Sequence, residues 1–212
     1  MDITIRQEEE RDYARVEALT REAFWNLYRP GCDEHYLVHM MRGHPDVINE
    51  LNHVAEIDGV LVGSIMFTKS HVVNENNEVM ETVTFGPLCV HPDHQRVGIG
   101  TRLIEHTKNL VMQRNFPAII ILGDPHNYCK HGFRNGKDFR ISTMDGKHPL
   151  GLLVLELQKG VFDDHDWRFE ESKVYAIDED KAIAYDQSLP YKQKGTAYSQ
   201  ELFSMLIRSF VE

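Results

Sequence analysis

The sequence predicts an α/β fold built on a mixed sheet, and three observations carry that prediction. A meander of antiparallel strand patterns fills the stretch from Val54 to Val90. One amphipathic helix then separates Val90 from Ala118-Ile119-Ile120-Ile121-Leu122, a continuous apolar run of the kind required of a strand buried on both faces. Passing from strand to helix to buried strand requires a right-handed crossover and at least one parallel pair.

With 212 residues, the chain fits one domain or one domain plus an extension. Hydrophobic residues make up 42% and charged residues 26%, an ordinary mixture for a soluble chain that buries a sizeable core. The 23 basic residues against 33 acidic ones leave a net charge of −10, which argues against a phosphate-backbone binder and so against a nucleic-acid partner. No apolar run approaches the roughly 18 residues of a membrane span, so no membrane association is expected. The first residues carry no apolar signal-peptide region. The three cysteines, Cys32, Cys89 and Cys129, are odd in number and show no pairing pattern. Free thiols in a reducing cytoplasm are therefore expected.

In chain order, Ile3 and Ile5 alternate with Thr4 and Arg6 as a short strand. From Glu8 to Phe24 the apolar positions Tyr13, Val16, Leu19, Ala23 and Phe24 have helical spacing, with acidic residues early, where the helix dipole favours them. A polar and aromatic loop, Tyr28-Arg29-Pro30-Gly31-Cys32, precedes a second helix over Asp33 to Arg42 with Asp33 as cap. Val54 to Ile57, the Asp58-Gly59 turn and Val60 to Phe67, running on toward Val73, read as a hairpin. Val79 to Val90 is the next strand, and Gly98 to Arg114 the amphipathic helix. After the buried strand come a short helix over Asn127 to His131 and strands over Phe139 to Ser142 and Leu152 to Leu157. Residues 159–212 form an extension packed on a core of residues 1–158. From residue 160 onward it holds eleven acidic residues against six basic ones, half the net charge in a quarter of the chain. Val174 to Ile177 and Ala182 to Tyr185 around Asp178-Glu179-Asp180-Lys181 predict a hairpin, and Ser199 to Phe210 an amphipathic helix.

The stretch that carries chemistry is Gln95-Arg96-Val97-Gly98-Ile99-Gly100-Thr101, between a strand and a helix. Glycines there let a backbone come close to a ligand, and the unpaired N–H groups of a helix start, with its dipole, attract an anion. Arg96 adds a formal charge. One reading is a phosphate or pyrophosphate cradle; the other is that Gly98 and Gly100 only permit a tight turn. The Lys-Ser/Thr ending of a P-loop and the third glycine of a dinucleotide fingerprint are both missing.

Upstream of this stretch stands Phe85-Gly86-Pro87-Leu88-Cys89-Val90-His91-Pro92. Downstream stands Leu122-Gly123-Asp124-Pro125-His126-Asn127-Tyr128-Cys129-Lys130-His131-Gly132-Phe133. The three elements, in this order and spacing, resemble the GNAT N-acetyltransferase superfamily from about Ile3 to about Leu157. The tail looks like extensions found in one bacterial branch. The resemblance implies an acyl-CoA N-acyltransferase fold with splayed central strands plus a C-terminal extension, and acetyl-CoA as co-substrate. It implies that backbone groups of Leu88, Cys89 and Val90 pair with the pantetheine arm. Gln95, Arg96, Val97, Gly98, Ile99, Gly100 and Thr101 would form the pyrophosphate site, with Asp124 and Asn127 bordering the cofactor. Tyr128 falls on the family's frequent general-acid position. A phenol with pKa near ~10 is neutral at pH 7 and can protonate the departing thiolate, a contribution of about 10²–10⁴ in rate. A strand N–H such as that of Val90 would stabilise the oxyanion.

The sequence also departs from the family's pattern. Val97 stands where some members carry Arg or Lys, which removes a side-chain charge but no backbone N–H. Asn127 and His131 replace aromatics, and Thr84 stands where some members carry a glutamate base, so the general base is unassigned. Among other residues, His91, His94 and Cys89 lack a second ligand pair, and no metal is expected. Cys129 is expected to pack on the helix after the buried strand, not to act as a nucleophile. His35 and His39 are expected at the surface of the second helix.

The expected function is acetyl transfer from acetyl-CoA to a primary amine by direct attack in a ternary complex. The alternatives are a non-catalytic acyl-CoA-binding sensor and a transferase of longer acyl groups. The partners expected are acetyl-CoA and an amine acceptor, and the tail allows a homodimer.

Overall fold

The computed structural model describes residues 2–212. Fifteen elements follow one another along the chain. They are β1 (Ile3–Gln7), α1 (Tyr13–Phe24), α2 (Glu34–Met41), β2 (His53–Ile57), β3 (Val60–Asn74), β4 (Val79–Val90), α3 (Ile99–Gln113) and β5 (Ala118–Leu122). After them come α4 (Pro125–Tyr128), β6 (Arg134–Asn135), β7 (Ile141–Thr143), β8 (Leu152–Glu156), β9 (Trp167–Glu170), α5 (Glu179–Gln187) and α6 (Tyr198–Ile207). The sheet runs β1-β2-β3-β4-β5-β8-β6; β9 pairs with β3, and β7 with β9. The β1 to β4 pairs are antiparallel and β4 to β5 is parallel, so the mixed α/β sheet and the crossover through α3 are both present.

The apolar run of β5 follows from its position. Ile119 and Ile121 face α3, together with Ile65, Phe67, Val83, Phe85, Leu103 and Val111. Ala118 and Ile120 face the other way, into a cluster with Val72, Val154, Ile141, Phe162, Trp167 and Phe169. Burying one such isoleucine stabilises the fold by roughly 1.5–3 kcal/mol, so a polar residue anywhere in residues 118–121 would be costly. A third cluster packs α1 and α2 (Val16, Leu19, Leu37, Val38, Met41) on Val54, Leu61, Met66 and Cys89. Between the last two clusters the same sheet face carries Thr68, Ser70, Thr82 and Thr84, all buried, with Ser70 Oγ and Thr82 Oγ1 2.8 Å apart.

The extension is joined to the sheet. β3 pairs with β2 over its first half and with β9 over residues 71–74, so the tail continues an edge that β2 leaves open. This strand was not anticipated, because Trp167-Arg168-Phe169-Glu170 is short and sits among acidic residues. The hairpin expected around Asp178 to Lys181 is instead a helical turn over Lys173–Tyr175 followed by α5. Asp178 accepts the Lys181 N–H at 3.2 Å, and Glu179 and Asp180 lie in the first turn; the acidic run is a helix cap and dipole partner. Near Phe139 the strand starts later, at Ile141, because residues 136–139 form a tight helical turn. Cys129 is exposed, since its short helix turns the thiol outward.

His35 is fully buried, not at the surface. α5 covers it. Its Nε2 lies 3.3 Å from Asp186 Oδ1, and its Nδ1 lies 3.4 Å from Cys32 Sγ. Arg21 holds the same Asp186 oxygen through Nε at 3.0 Å and Nη2 at 2.9 Å. Burial pulls the imidazole down to about 4, against the opposing pull of Asp186 and with the push of Arg21; Glu17 adds a weaker upward pull. The unfolded chain, with histidine near ~6.5, therefore binds a proton that the folded chain refuses. This contribution to stability is complete above about pH 6.5 and is lost as pH falls toward 4, about 3 kcal/mol in all. Urea titrations of wild type and His35→Gln between pH 7 and 4 will show a clearly shallower loss of stability in the variant. Equal slopes would remove His35 from the account.

Candidate active site

β4 and β5 meet at one residue pair, Val83 with Ile119. Past it they part, and the edge of β4 from Thr84 to Val90 has no strand beside it on that side. His91 N donates to Val62 O at 2.8 Å. Counting back by two along an antiparallel ladder makes Cys89, opposite Ser64, the residue whose backbone faces β3. Leu88 and Val90 then turn their N–H and C=O groups toward the gap. Val90 O is met there by Gln95 Nε2 at 3.2 Å. Of the three residues expected to offer backbone pairing, Leu88 and Val90 face the gap. Cys89 is turned away, and its buried thiol lies 3.6 Å from Thr20 Oγ1, where burial pushes its pKa up to about 12.

At the end of this edge, α3 begins. Gly98 takes φ +91°, a left-handed conformation that a side chain would strain, and Arg96 also stands left-handed at φ +62°. No side chain caps the helix, and the first backbone bond within it is Arg102 N to Gly98 O at 3.0 Å. The N–H groups of Ile99, Gly100 and Thr101 are therefore open donors at a positive dipole end. A Cβ placed on Gly98 meets nothing within 4 Å, so the space ahead of these donors is clear. A Cβ on Gly100 would lie 3.8 Å from Val90 Cγ2, which sets the first helical turn directly against the open strand edge. Arg96, Val97 and Thr101 are exposed, and Arg96 has no side-chain partner among the described residues.

Across the gap, Asp124 caps α4 by accepting the His126 N–H at 2.9 Å, and Asn127 is exposed on the same short helix. Tyr128 follows. Its half-buried ring lies over Gly123, where a Cβ would stand 2.6 Å from Tyr128 Cε2. Phe85 of β4 at 5.6 Å and Phe133 at 5.9 Å hold its other sides. Burial, reinforced by Tyr28 and Asp124, raises the phenol's pKa well above the ordinary tyrosine value. It is a neutral proton donor at pH 7.

Further residues around this part of the sheet, Thr84 apart, are ones that sequence reasoning did not select as site residues. Tyr28, from the loop after α1, stacks on Phe203 of α6 at 4.3 Å, and burial with the charges of Glu34 and Asp124 lifts it to about 12. The Tyr175 hydroxyl donates to Gly86 O at 3.2 Å and accepts from Thr68 Oγ1 at 3.3 Å. The Thr84 hydroxyl is buried without a partner. The Glu171 carboxyl is pushed upward by burial alone. In the sequence Glu171 and Tyr175 look like part of an acidic, solvated stretch; only the fold sets Tyr175 against Gly86 of β4.

A clear, donor-rich helix start thus abuts an open strand edge in a split sheet, with a neutral phenol beyond it, an arrangement with room and donors for an extended anionic ligand. The chain belongs to the acetyltransferase (GNAT) family, whose model matches residues 14–133. An uncharacterized N-acetyltransferase of Escherichia coli K12, YjhQ, is 32% identical over 87 residues, covering 39% of this chain and 45% of that protein. The chain thus spans under half the length of this curated relative. The fold is similar to the GNAT family protein YhbS from E. coli in complex with CoA, with TM-score 0.71 and 22% identity over 82% of this chain and 92% of that one. It is also similar to a Brucella melitensis GNAT acetyltransferase in complex with acetyl-CoA, with TM-score 0.64 and 22% identity over 82% and 98% of the two chains.

The contact between Gly123 and Tyr128 is testable alone. In Gly123→Ala the new methyl must displace the phenol. Acetyl-CoA affinity measured by calorimetry is expected to stay within about threefold, under roughly 1 kcal/mol. Ring-current shifts of the Phe85 and Phe133 protons in NMR spectra are expected to change. Unaltered shifts would show that the ring does not depend on a bare backbone at position 123.

Proposed function

We propose that the protein transfers an acetyl group from acetyl-CoA to a primary amine by direct attack in a ternary complex. One observation supports this above others: the helix-start donors, the open edge of β4 and the Tyr128 phenol lie in sequence along a single gap in the sheet. The N–H groups of Ile99, Gly100 and Thr101, with Arg96, hold the pyrophosphate. Leu88 and Val90 pair with the pantetheine arm as a neighbouring strand would, and Gln95 fixes the Val90 carbonyl. Asp124 and Asn127 border the cofactor at the start of α4. Tyr128 gives its proton to the leaving sulfur; a raised pKa suits a residue that must arrive protonated. The net charge of −10 favours a cationic acceptor over an anionic one.

Calorimetric titration with acetyl-CoA tests the first half. Wild type is expected to bind in the micromolar range and Gly98→Glu at least tenfold more weakly, a difference of about 1.4 kcal/mol or more. Thr101→Glu repeats the test at an exposed helical position free of left-handed strain. No binding by folded wild type would overturn the proposal.

Thiol release tests the second half. With a panel of primary amines, Tyr128→Phe is expected to lose about 10²–10⁴ in kcat while keeping its acetyl-CoA affinity. Unchanged turnover would remove Tyr128 from the chemistry.

A further inference from the structure

The end of the chain carries an apolar surface that the described residues leave uncovered. On α6, Tyr198, Leu202 and Met205 are 81%, 57% and 55% exposed. Their spacing, four residues and then three, sets them in one stripe along the helix. The residues that anchor α6 lie on its other side. Ser199 Oγ donates to Leu27 O at 2.8 Å, Gln200 Nε2 donates to Asn26 O at 3.0 Å, and Phe203 stacks on Tyr28 at 4.3 Å. Past the helix, Leu150 N donates to Ser209 O and Val211 N to His148 O, both at 2.8 Å, so the last residues are fixed as well. α6 is therefore fully seated on its own chain, with the stripe turned to solvent.

Two features say what the stripe fits. The first is charge. Glu201 and Arg208, both exposed, stand on the same flank of the stripe, one heptad apart. Arg208 donates through Nε to Ser204 O at 2.8 Å, and neither residue forms an ion pair among the described residues. In heptad terms Leu202 is an a position, Tyr198 and Met205 are d positions, and Glu201 and Arg208 are both g positions. When two copies of this helix run antiparallel, Leu202 of each meets Met205 of the other. That register brings g against g, so Glu201 of each copy faces Arg208 of the other, twice by symmetry. A parallel pair would set Glu201 against Leu206 instead and form neither ion pair.

The second feature is area. The three stripe residues, with Leu150 at 38% and Phe210 at 49% beside the helix end, expose on the order of 500 Å². With the charged rim, this approaches the roughly 800 Å² that each partner contributes to a stable interface. A lipid surface fits less well, because the chain carries −10 and the stripe has no flanking cluster of lysines or arginines.

We propose that the protein is a two-fold homodimer joined by antiparallel pairing of α6 from two copies, with Leu202 packed on Met205 and Glu201 paired with Arg208 at each end of the seam. The inference does not depend on the acetyl-transfer reading. In the dimer, α6 lies between the partner copy and Tyr28.

The experiment is analytical ultracentrifugation of the full chain from about 1 to about 100 µM. At about 0.15 M salt, where the Debye length is about 8 Å, repulsion between the two acidic copies is screened. Circular dichroism checks that each variant is folded. Wild type is expected to dimerise with a Kd in the micromolar range. Leu202→Asp, at a position exposed in the single chain, is expected to raise that Kd about a hundredfold or more, since it buries two unpaired carboxylates. Glu201→Arg and Arg208→Glu are each expected to weaken the dimer about fivefold or more. The double reversal, Glu201→Arg with Arg208→Glu, is expected to return the Kd to within about twofold of wild type, and the cycle removes whatever each change does to the helix alone. A wild type that stays monomeric at the highest concentration overturns the proposal, and flotation of that monomer with phosphatidylcholine vesicles would assign the stripe to a lipid surface. A dimer that Leu202→Asp leaves intact uses another face, which also overturns it. A double reversal no tighter than the single ones rules out the antiparallel seam.

Discussion

Between β4 and β5 the sheet has one residue pair, Val83 with Ile119, and the rest of the active site depends on the strands parting there. A parallel pair that continued to the strand ends would satisfy the backbone of Leu88 and Val90 and leave no edge for a ligand. The parting is maintained by what fills the space around it. On the α3 side, Phe85, Phe133 and Tyr128 form a ring cluster with centroids 5.6–6.0 Å apart. β5 cannot close on β4 without expelling those rings from a core in which Phe85 and Phe133 are buried. On its other edge β5 is held by five residue pairs to β8. The gap is a consequence of packing on both sides, and a ligand inherits the unpaired groups.

The extension belongs to this same construction. β9 continues the β3 edge, α5 brings Asp186 to Arg21, and Tyr175 fastens the turn before α5 to the carbonyl of Gly86. These contacts reach α1, β3 and β4 from one stretch of about twenty residues. The tail is therefore fixed to the strand and helix that flank the open edge of β4, and each of its contacts falls on an element the rest of the fold already holds.

Much of this was legible in residue order. The strands of the meander, α3 and β5 follow from periodicity, and β5 in particular matches the five residues Ala118–Leu122 that its apolar run marks out. At Gly98 the residues alone left a phosphate cradle and a tight turn both open; the left-handed φ and the clear space ahead of the helix start are visible only in the fold. What was not legible depends on long-range placement. Asp178-Glu179-Asp180 reads as a solvated turn until a helix is found for it to cap. His35 has the spacing of a surface residue until α5, some 150 residues away, covers it. Glu171 and Tyr175 carry no local signal at all: nothing in Glu171-Ser172-Lys173-Val174-Tyr175 tells which strand will lie above them. Cys89 shows the same limit at finer scale, since strand identity was clear but the side of the ladder its backbone faces needed the His91 to Val62 bond to decide.

One physical cause, burial, acts on two acids of this chain with different consequences. Burial disfavours the charged form of any acid, so it raises both the Tyr128 phenol and the Glu171 carboxyl. For the phenol, whose ordinary pKa already lies above neutrality, the push keeps the proton in place until a better acceptor appears. For the carboxyl, whose ordinary pKa lies well below neutrality, the same push makes it a stronger base than a solvated glutamate. Neither side chain has an ion pair among the described residues, so burial is the first cause of the shift in each.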